Sequence, residues 1–356
     1  MKTTALIMAG GRGERFWPKS RKSLPKQFLS LTTDGKTMIQ LTVERILPLV
    51  SIEDIYIATN ESYLDLVQAQ LPNLPVENII CEPVGRNTAP CIGLGAMHIL
   101  KKYDDALMLV LPSDHLIKQK TLFLQSLKNA CQVAEENSNL VTIGIMPDYP
   151  ETGYGYIRFD ENTSLGQAYK AAKFVEKPDL DTAKMYFESG QYLWNSGMFI
   201  WKVSSILEKM RVHMPETYQG LRKIEQAFGT EQEHIVLAEE FEKMRSISID
   251  YGILEHAKDI YTIPGSFGWD DVGSWLALER INPTNEFGNV MHGNLITVDT
   301  KNCILQGGEK LIATVGVQNL IVVDTPDAIL ICQKENAEDI KKVLENLRIC
   351  DRTEYI

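Results

Sequence analysis

The segment that constrains this chain most is a glycine-rich turn after its first predicted strand. Residues 3–8 (TTALIM) are apolar enough for a central strand of a parallel sheet, and residues 9–18 are AGGRGERFWP. Three glycines in four positions allow a sharp turn and let backbone N–H groups come close to a ligand. Arg15 and Lys26 add two cations whose natural partners are phosphates. The segment therefore predicts a loop that holds a triphosphate.

Two better-known phosphate loops do not fit this segment. A Walker A loop needs a Lys-Ser/Thr pair after its glycine frame, and none follows here. A dinucleotide fingerprint needs G-x-G-x-x-G, and residues 11–16 (GRGERF) lack its last glycine. A strand-to-helix turn without a ligand is the alternative that three glycines alone leave open.

Composition narrows the class of protein further. A chain of 356 residues is long enough for one large domain or two, and its net charge of −11 argues against a general nucleic-acid binder. The six cysteines form no C-x-x-C pair, which indicates free thiols in a reducing compartment rather than a zinc site. Met1 leads almost directly into the first strand, which leaves no room for a signal peptide, and no apolar run reaches the length of a membrane span. We therefore expect a cytoplasmic protein without membrane or nucleic-acid partners.

The residues up to about 145 alternate between short buried strands and amphipathic helices. Such alternation predicts a parallel, doubly wound sheet with ligands outside the carboxyl ends of the strands. The glycine-rich loop and residues 112–115 (PSDH) would both lie at that edge. After the first strand, the predicted strands are residues 54–59, 77–81, 106–111 and 140–145, and the predicted helices lie around residues 39–47 and 88–99.

The rest of the chain is less regular and ends in a β-rich region. Before residue 283, strands are predicted at 154–159 and 172–175, and helices at 204–228 and 234–245. Short, evenly spaced strands then suggest a small β-solenoid or barrel with a structural role such as oligomerisation. These strands cover residues 293–298, 302–306, 310–315, 319–323 and 328–332, and an amphipathic helix follows over residues 335–347.

Two carboxylates are candidates for a metal site. Asp114 follows a hydrophobic strand, where it could be an N-cap or a hard oxygen ligand for Mg²⁺. Magnesium prefers one or two carboxylates plus phosphate oxygens, and residues 267–275 (FGWDDVGSW) offer a second one. Adjacent Asp270 and Asp271 cannot point the same way from an extended backbone, so we expect only one of them to be a ligand.

Three further segments carry polar groups in apolar surroundings. Glu176 and Lys177 close a strand before a proline, either overhanging a pocket or forming a solvated turn. Asn195, in residues 194–199 (WNSGMF), has an amide suited to sugar hydroxyls, although such triplets are often simple turns. Asp250 lies between apolar neighbours and needs a hydrogen-bond partner, either a sugar hydroxyl or backbone.

Eight blocks, taken in order, resemble those of the mannose-1-phosphate guanylyltransferases, a branch of the sugar-phosphate nucleotidyltransferases. The resemblance extends from residue 3 to about residue 349. The PKQF, EPVGRNTAP and WDDVGSW sequences are more specific to this guanylyl branch than the glycine-rich loop is. The blocks are residues 10–18, 25–28, 82–90, 112–115, 174–178, 194–199, 248–251 and 267–275.

The resemblance implies a fold and a reaction. The fold is α/β, with a Rossmann-like, doubly wound mixed sheet in a nucleotidyltransferase domain (residues 1–283) and a small left-handed β-helix module (residues 284–356). Residues 1–145 would bind nucleotide and residues 146–283 the sugar, in a homodimer. The implied Mg²⁺-dependent reaction converts GTP and α-D-mannose 1-phosphate to GDP-mannose and pyrophosphate. Some relatives carry a further isomerase domain, and because this chain ends at Ile356 no fused isomerase activity is expected.

The resemblance also implies roles for individual residues. Arg15 would hold the β- and γ-phosphates and Lys26 the α-phosphate, while Asp114 and Asp271 would bind Mg²⁺. The other implied nucleotide-binding residues, some of them around the guanine, are Leu6, Ala9, Gly10, Gly11, Arg12, Gly13, Glu82, Gly85, Asn87, Thr88 and Ser113. The implied sugar-phosphate residues are Gly155, Glu176, Lys177, Asn195 and Asp250.

Two other functions stay open at this point. A nucleotidyltransferase for glucose 1-phosphate with UTP or dTTP would share the loop and both aspartates, and differ only in its base and sugar segments. A non-catalytic subunit that binds nucleotide sugars could dispense with Lys26 or Asp271, yet both are present. An NAD-dependent oxidoreductase is disfavoured, because the glycine pattern fails.

Overall fold

The first strand, β1 (Thr3–Met8), lies inside a nine-stranded sheet. Its side chains at positions 4 to 7 are fully buried, and parallel strands pair with it on both sides. An apolar strand in this position gains the burial of both faces. The order of the strands across the sheet is β3 (Ile79–Glu82), β2 (Ile55–Asn60), β1, β4 (Leu107–Pro112), β9 (Tyr192–Lys202), β6 (Leu140–Ile145), β10 (Ile260–Gly265), β8 (Ala168–Val175) and β7 (Tyr156–Leu165).

The sheet is mixed. Its β3-β2-β1-β4 part is parallel, as predicted from the alternation of strands and helices. β9 is antiparallel to both β4 and β6, and β8 is antiparallel to β10 and β7. The mixed α/β sheet expected from the resemblance is therefore confirmed, and the carboxyl ends of β1 to β4 lie at one edge.

The structure is a computed structural model that describes residues 1–11 and 13–356, so the predicted nucleotide-binding residue Arg12 lies outside the described residues. These residues form two compact units. The first unit comprises residues 1–10, 43–113 and 117–269, and the second comprises residues 11–42, 114–116 and 270–356. The division into domains at residues 283 and 284 stays a prediction.

Helices of the first unit pack on its sheet. α3 lies close to β1 because its Gly95 has no side chain, and a Cβ there would be 2.6 Å from Leu6 Cδ2. The helix predicted over residues 204–228 is two helices, since Pro215 cannot continue the first one and begins the second. The helices up to residue 243 are α1 (Met38–Ile46), α2 (Leu64–Gln70), α3 (Thr88–Leu100), α4 (Lys120–Glu135), α5 (Leu180–Ser189), α6 (Val203–His213), α7 (Pro215–Ala227) and α8 (Glu233–Lys243).

The second unit contains the expected β-helix-like module. Buried side chains stack from one coil to the next, with Val290 beside Ile304 and Ile304 beside Ile321 in parallel register. Asn302 donates a hydrogen bond to Asn319 across neighbouring coils at 2.5 Å. The strands are β12 (Val290–His292), β13 (Leu295–Val298), β14 (Ile304–Gln306), β15 (Ile312–Val315), β16 (Leu320–Asp324) and β17 (Ile329–Gln333); two-residue strands are β5 (Leu116–Ile117) and β11 (Trp269–Asp270).

The glycine-rich loop packs on the C-terminal segment within the second unit. Phe16 and Trp17 share a hydrophobic core with Trp275, Ile340 and Leu344. The indole of Trp275 also donates a hydrogen bond to the carbonyl of Trp17 at 3.0 Å. The last two helices are α9 (Ala277–Ile281) and α10 (Ile340–Ile349), the latter preceded by a 3-10 helix (Lys334–Asp339) where a continuous α-helix is predicted.

Across residues 1–11 and 13–356, no helix combines the length and the apolar character needed to cross a membrane.

Candidate functional site

A cavity of about 660 Å³ lies in the second unit beside the glycine-rich loop. Four residues predicted for catalysis line it: Arg15, Lys26, Asp114 and Asp271. Of the described residues, three cations and four carboxylates face the same space, which suits a highly charged ligand. The described residues that line it are Gly13, Glu14, Arg15, Phe16, Lys26, Asp114, His115, Asp271, Val272, Gly273, Glu338 and Lys341.

Lys26 is the most enclosed of the described cations that line this cavity, with only 6% of its surface exposed. It lies in a short 3-10 helix (Lys26–Phe28) that follows Pro25. Its ammonium is 2.8 Å from Asp114 Oδ2 and donates a hydrogen bond to the Asp271 carbonyl at 2.6 Å. A buried ammonium needs such partners, so Lys26 holds together the two segments that carry the predicted metal ligands.

Gly13 is the glycine on which the position of Lys26 depends. Its φ of 59° is left-handed, and a Cβ there would lie 2.4 Å from Lys26 Cβ and 2.7 Å from Lys26 N. Both the backbone conformation and the close approach therefore require glycine. Gly11 has open space around it, and its carbonyl accepts a hydrogen bond from the side chain of Gln27 at 3.1 Å.

The charge of Asp114 is set by its neighbours. Burial raises the pKa of this carboxyl, but the ammonium of Lys26 and the ring of His115 outweigh burial and hold the pKa below its usual range. The second carboxylate oxygen, Oδ1, is 4.0 Å from His115 Nε2. Asp114 is therefore ionised at neutral pH, as a metal ligand must be.

The two adjacent aspartates point in different directions. Asp270 is buried and forms an ion pair with Arg280, at 2.5 Å from Nε, while its Oδ1 accepts the Val272 N–H at 2.8 Å. Asp271 instead lines the cavity, and its Oδ1 accepts the Gly273 N–H at 3.0 Å. The turn that follows them places Val272 at φ 49°, a conformation that costs a β-branched residue about 1–3 kcal/mol. Asp270 thus stabilises a strained turn that aims Asp271 at the cavity.

Arg15 is exposed at the same cavity. It donates a long hydrogen bond of 3.5 Å from Nη1 to the Gly273 carbonyl. Four charged or titratable lining residues were missed by the sequence analysis: Glu14 and His115, which adjoin predicted residues, and Glu338 and Lys341, which belong to the C-terminal segment. Only proximity in the folded chain identifies the last two, since no motif marks them.

In the first unit, Glu82 ends β3 at the carboxyl edge of the sheet. It is 6% exposed, and its Oε1 has no hydrogen-bond partner among the described residues. Burial raises its pKa to about 7, although the thiol of Cys91 donates a hydrogen bond that lowers it. A Cβ on Gly10 would be 3.5 Å from Glu82 Oε2, so the exposed backbone of Gly10 adjoins this carboxyl. A buried carboxyl without a full set of partners is a candidate for reading a ligand.

The other residues predicted for the nucleotide surround this edge or support it. Asn87 is at φ 66° and caps α3 by accepting the Thr88 N–H at 2.8 Å. Thr88 Oγ1 accepts the Ile249 N–H at 2.8 Å. Gly85 is exposed, whereas Leu6, Ala9 and Ser113 are buried, Leu6 within β1. The backbone N–H of Ala9 donates a hydrogen bond to the Ala58 carbonyl, and that of Ser113 donates one to the Met8 carbonyl.

The residues predicted for the sugar phosphate form one cluster in the first unit. Asn195 Nδ2 donates to Asp250 Oδ1 at 2.7 Å, and the backbone N–H of Asn195 donates to the Gly155 carbonyl at 2.8 Å. A Cβ on Gly155 would lie 2.6 Å from Glu176 Oε2. Lys177 is 3.0 Å from Glu176 Oε1 and extends to solvent.

Burial raises the pKa of Asp250, the hydrogen bond from Asn195 lowers it, and the negative charge of Glu176 raises it again, so that it ends above its usual value. Two carboxyl groups with few donors around them are suited to accept hydrogen bonds from hydroxyls. Aromatic rings adjoin the cluster: Trp194 packs edge-on against Tyr149 and Tyr154, and Tyr154 against Trp269. The two tyrosines were also missed by the sequence analysis.

Among the described residues, no three His, Cys, Asp or Glu side chains are grouped closely enough to hold a metal ion on their own. A metal ion held by Asp114 and Asp271 would therefore gain no third such side chain from the described residues.

The chain matches two protein families. The family described as nucleotidyl transferase matches residues 4–286, and the family described as MannoseP isomerase/GMP-like beta-helix domain matches residues 293–347. The second match agrees with the stacked parallel strands of the second unit.

Similar proteins cover nearly the whole chain. A mannose-1-phosphate guanylyltransferase of Salmonella typhimurium is 42% identical to it over 100% of this chain and 74% of its own length. One of Escherichia coli K12 is also 42% identical, over 99% of this chain and 75% of its own length. A crystal structure from Thermus thermophilus, described as mannose-1-phosphate geranyltransferase, superimposes with a TM-score of 0.88 at 36% identity and covers 98% of this chain and 100% of that one. The chain therefore belongs to the nucleotidyl transferase family, among its mannose-1-phosphate guanylyltransferase members, as its sequence blocks predict.

Proposed function

We propose that this enzyme transfers GMP from GTP to α-D-mannose 1-phosphate and releases GDP-mannose and pyrophosphate. The observation that carries the proposal is the cavity of the second unit, where buried Lys26 contacts Asp114 and the Asp271 backbone beside Arg15. Cations and carboxylates that face one cavity are what a triphosphate with its metal ion requires. The names of the relatives supply the base and the sugar.

Lys26 and Arg15 would bind the triphosphate. A phosphate oxygen of the sugar phosphate would attack the α-phosphorus of GTP, the bond to the bridging α–β oxygen would break, and pyrophosphate would leave. The nucleophile is already an anion at neutral pH, so the protein needs no general base. Its contribution is to position two anions, worth about 7–11 kcal/mol, and to neutralise their charge, with about 3 kcal/mol lost for each contact removed.

Mg²⁺ is the metal that we propose for Asp114 and Asp271. The two carboxylates fit it, because Mg²⁺ takes one or two carboxylates and completes its shell with phosphate oxygens and water. The low pKa of Asp114 keeps that ligand ionised. When bound, the ion would neutralise charge on the phosphates.

Glu82 would read the guanine. Its unpartnered carboxylate oxygen can accept hydrogen bonds from the N1–H and N2 amine, a pair of donors that adenine lacks at these positions. Asn87 and the exposed backbone of Gly85 would contribute the remaining contacts. We propose the same for the exposed backbone of Gly10, which adjoins Glu82.

Glu82→Gln is expected to weaken GTP use and to remove most of the preference for GTP over ITP. ITP lacks the N2 amine, so the wild-type enzyme should use it about tenfold less well, and an amide that offers one acceptor and one donor should discriminate poorly. The measurement is kcat/KM for both nucleotides, with Glu77→Gln, an exposed change just before β3, as the control. Equal GTP/ITP ratios in wild type and Glu82→Gln would contradict this role.

The pH dependence gives the same test a second readout. Because the Glu82 pKa is raised to about 7, the carboxylate form that accepts guanine N–H groups fills in as pH rises through 7. For the wild-type enzyme, kcat/KM for GTP should therefore rise between pH 6 and pH 8, with its midpoint at the pKa of Glu82 in the free enzyme. The Glu82→Gln variant should lack that rise.

Asn195, Asp250 and Glu176 would accept and donate hydrogen bonds to the mannose hydroxyls, with Lys177 at its phosphate. Gly155→Ala is expected to raise the KM for mannose 1-phosphate about tenfold, because the new Cβ would displace the Glu176 carboxylate at 2.6 Å. The flexible side chain can move away, so melting temperature and the KM for GTP should change little. An unchanged KM for mannose 1-phosphate would remove Glu176 from the sugar site.

An assay of pyrophosphate release tests the proposed function as a whole. GTP, UTP, dTTP and ATP are each combined with mannose 1-phosphate or glucose 1-phosphate, with Mg²⁺ or with a chelator. GTP, mannose 1-phosphate and Mg²⁺ together should give the largest kcat/KM. A preference for UTP or dTTP with glucose 1-phosphate would favour the other nucleotidyltransferase, and binding of GDP-mannose without turnover would favour a non-catalytic subunit.

We further propose a cytoplasmic homodimer. The support is the family and the exposed apolar side chains on β13 and β15, Ile296, Val298 and Val315, which a second copy could cover. Sedimentation of the purified chain at micromolar concentration tests the dimer, and a monomer at that concentration would contradict it.

A further inference from the structure

We propose that the C-terminal helix α10 takes part in substrate binding, with Lys341 holding the β- and γ-phosphates of the nucleotide and the pyrophosphate formed from them. Glu338, one turn earlier, opposes that binding. The inference rests on the proposed function and deepens it, because it makes the β-helix module part of the phosphate site and not only a structural support.

The position of Lys341 carries the first step. It lines the same cavity as Arg15 and Lys26, and no ion pair between described residues includes it. The next residue, Lys342, is instead paired with Asp339 at 2.8 Å and does not line the cavity. The two lysines therefore differ in the property that matters here, which is a charge available to a ligand of the cavity.

The helix is also fixed against the glycine-rich loop. Ile340 and Leu344 of α10 pack in one hydrophobic core with Phe16 and Trp17 of the loop. Arg348, near the end of α10, is 2.8 Å from the carboxylate of Glu14. Because the helix packs on and pairs with the loop, its backbone needs no further ordering when Lys341 binds an anion, and only the freedom of the lysine side chain is lost.

The charge balance of the cavity makes each cation matter. Among the described residues, its cations are Arg15, Lys26 and Lys341, and its carboxylates are Glu14, Asp114, Asp271 and Glu338. A triphosphate that enters a cavity lined by carboxylates as well as cations depends strongly on every positive charge. Loss of Lys341 should weaken binding of the outer phosphates, and loss of the charge on Glu338 should strengthen it.

The test uses the full-length enzyme in both directions. The KM for pyrophosphate is measured with GDP-mannose in excess, and the KM values for GTP and for mannose 1-phosphate in the forward direction. Lys341→Gln should raise the KM for pyrophosphate and for GTP about tenfold, with kcat and the KM for mannose 1-phosphate changed less than twofold, because the outer phosphates carry their charge before the reaction begins. Lys341→Arg should restore most of the binding.

Two further variants complete the test: one should change the KM for pyrophosphate in the opposite direction, and the other is a control. Glu338→Gln should lower the KM for pyrophosphate about threefold, whereas Lys342→Gln should leave all three KM values unchanged. The proposal is overturned if Lys341→Gln and Lys342→Gln give the same KM for pyrophosphate, or if Glu338→Gln raises it. These outcomes are distinct from failure of the proposed function, in which the wild-type enzyme would form no GDP-mannose from GTP.

Discussion

Lys26→Ala is expected to lower kcat by a hundredfold or more while the protein stays folded. The change removes the buried ammonium that lies 2.8 Å from Asp114 and holds the Asp271 carbonyl at 2.6 Å. The positive charge that we propose Lys26 places beside the α-phosphate is then lost, at a cost of about 3 kcal/mol in the transition state. Steady-state kinetics with GTP and mannose 1-phosphate measure the loss.

The matched control is Lys22→Ala, because Lys22 is an exposed cation of the same N-terminal segment and does not line the cavity that Lys26 lines. It should keep turnover within about twofold of wild type. Circular dichroism and melting temperature report whether Lys26→Ala is folded. A well-folded Lys26→Ala enzyme with near-normal kcat would remove Lys26 from the mechanism.

Gly13→Ala is expected to abolish most turnover although the substitution removes no charged group. The methyl group would lie 2.4 Å from Lys26 Cβ and 2.7 Å from its backbone nitrogen, so Lys26 must move or the loop must open. Alanine at φ 59° adds strain of about 1 kcal/mol. Since a misplacement of about 1 Å can cost a hundredfold in rate, we expect a loss comparable to that of Lys26→Ala.

Gly35→Ala separates backbone strain from the steric effect. Gly35 also has a positive φ, 75°, and belongs to the same unit, but nothing lies within 4 Å of a Cβ there. Gly35→Ala should lose only the stability that the backbone strain costs, about 1 kcal/mol, and keep its kcat. If the two alanine variants were equally active, the close approach of Gly13 to Lys26 would have no catalytic role.

The central strands of the sheet were predictable because their residues are apolar and lie between clear turn signals. β1 and β6 have the predicted bounds, and β2 to β4 begin and end within two residues of them. β7 extends beyond its predicted end to Leu165, since its outer half is exposed and carries no hydrophobic pattern while its pairing with β8 continues.

The central antiparallel strand β9 shows why a local pattern can mislead. The Asn-Ser-Gly triplet at residues 195–197 is typical of turns, yet it lies within an eleven-residue strand. Gly197 has φ 66°, and the pairing of β9 with β6 shifts register beside it, so the triplet forms an irregularity in a strand rather than a turn. Pairing with distant strands, which no local signal reports, decides this outcome.

The candidate site likewise contains residues that the sequence predicts and residues that only the fold brings together. Lys26, Asp114 and Asp271 lie in short motifs that the sequence displays, and all three line one cavity. The residues alone do not say which of Asp270 and Asp271 faces it, and only the family resemblance implied Asp271. In the structure the ion pair between Asp270 and Arg280 turns Asp270 away. Lys341 lies in no motif, since only the packing of α10 on the glycine-rich loop brings it to this cavity.

A crystal structure of the enzyme with GDP-mannose tests the central claim most directly. We expect the diphosphate within hydrogen-bonding distance of Lys26 and the loop of residues 10–26, with the carboxylates of Asp114 and Asp271 facing the same phosphates. A diphosphate bound away from residues 10–26, with neither carboxylate facing it, would contradict the account.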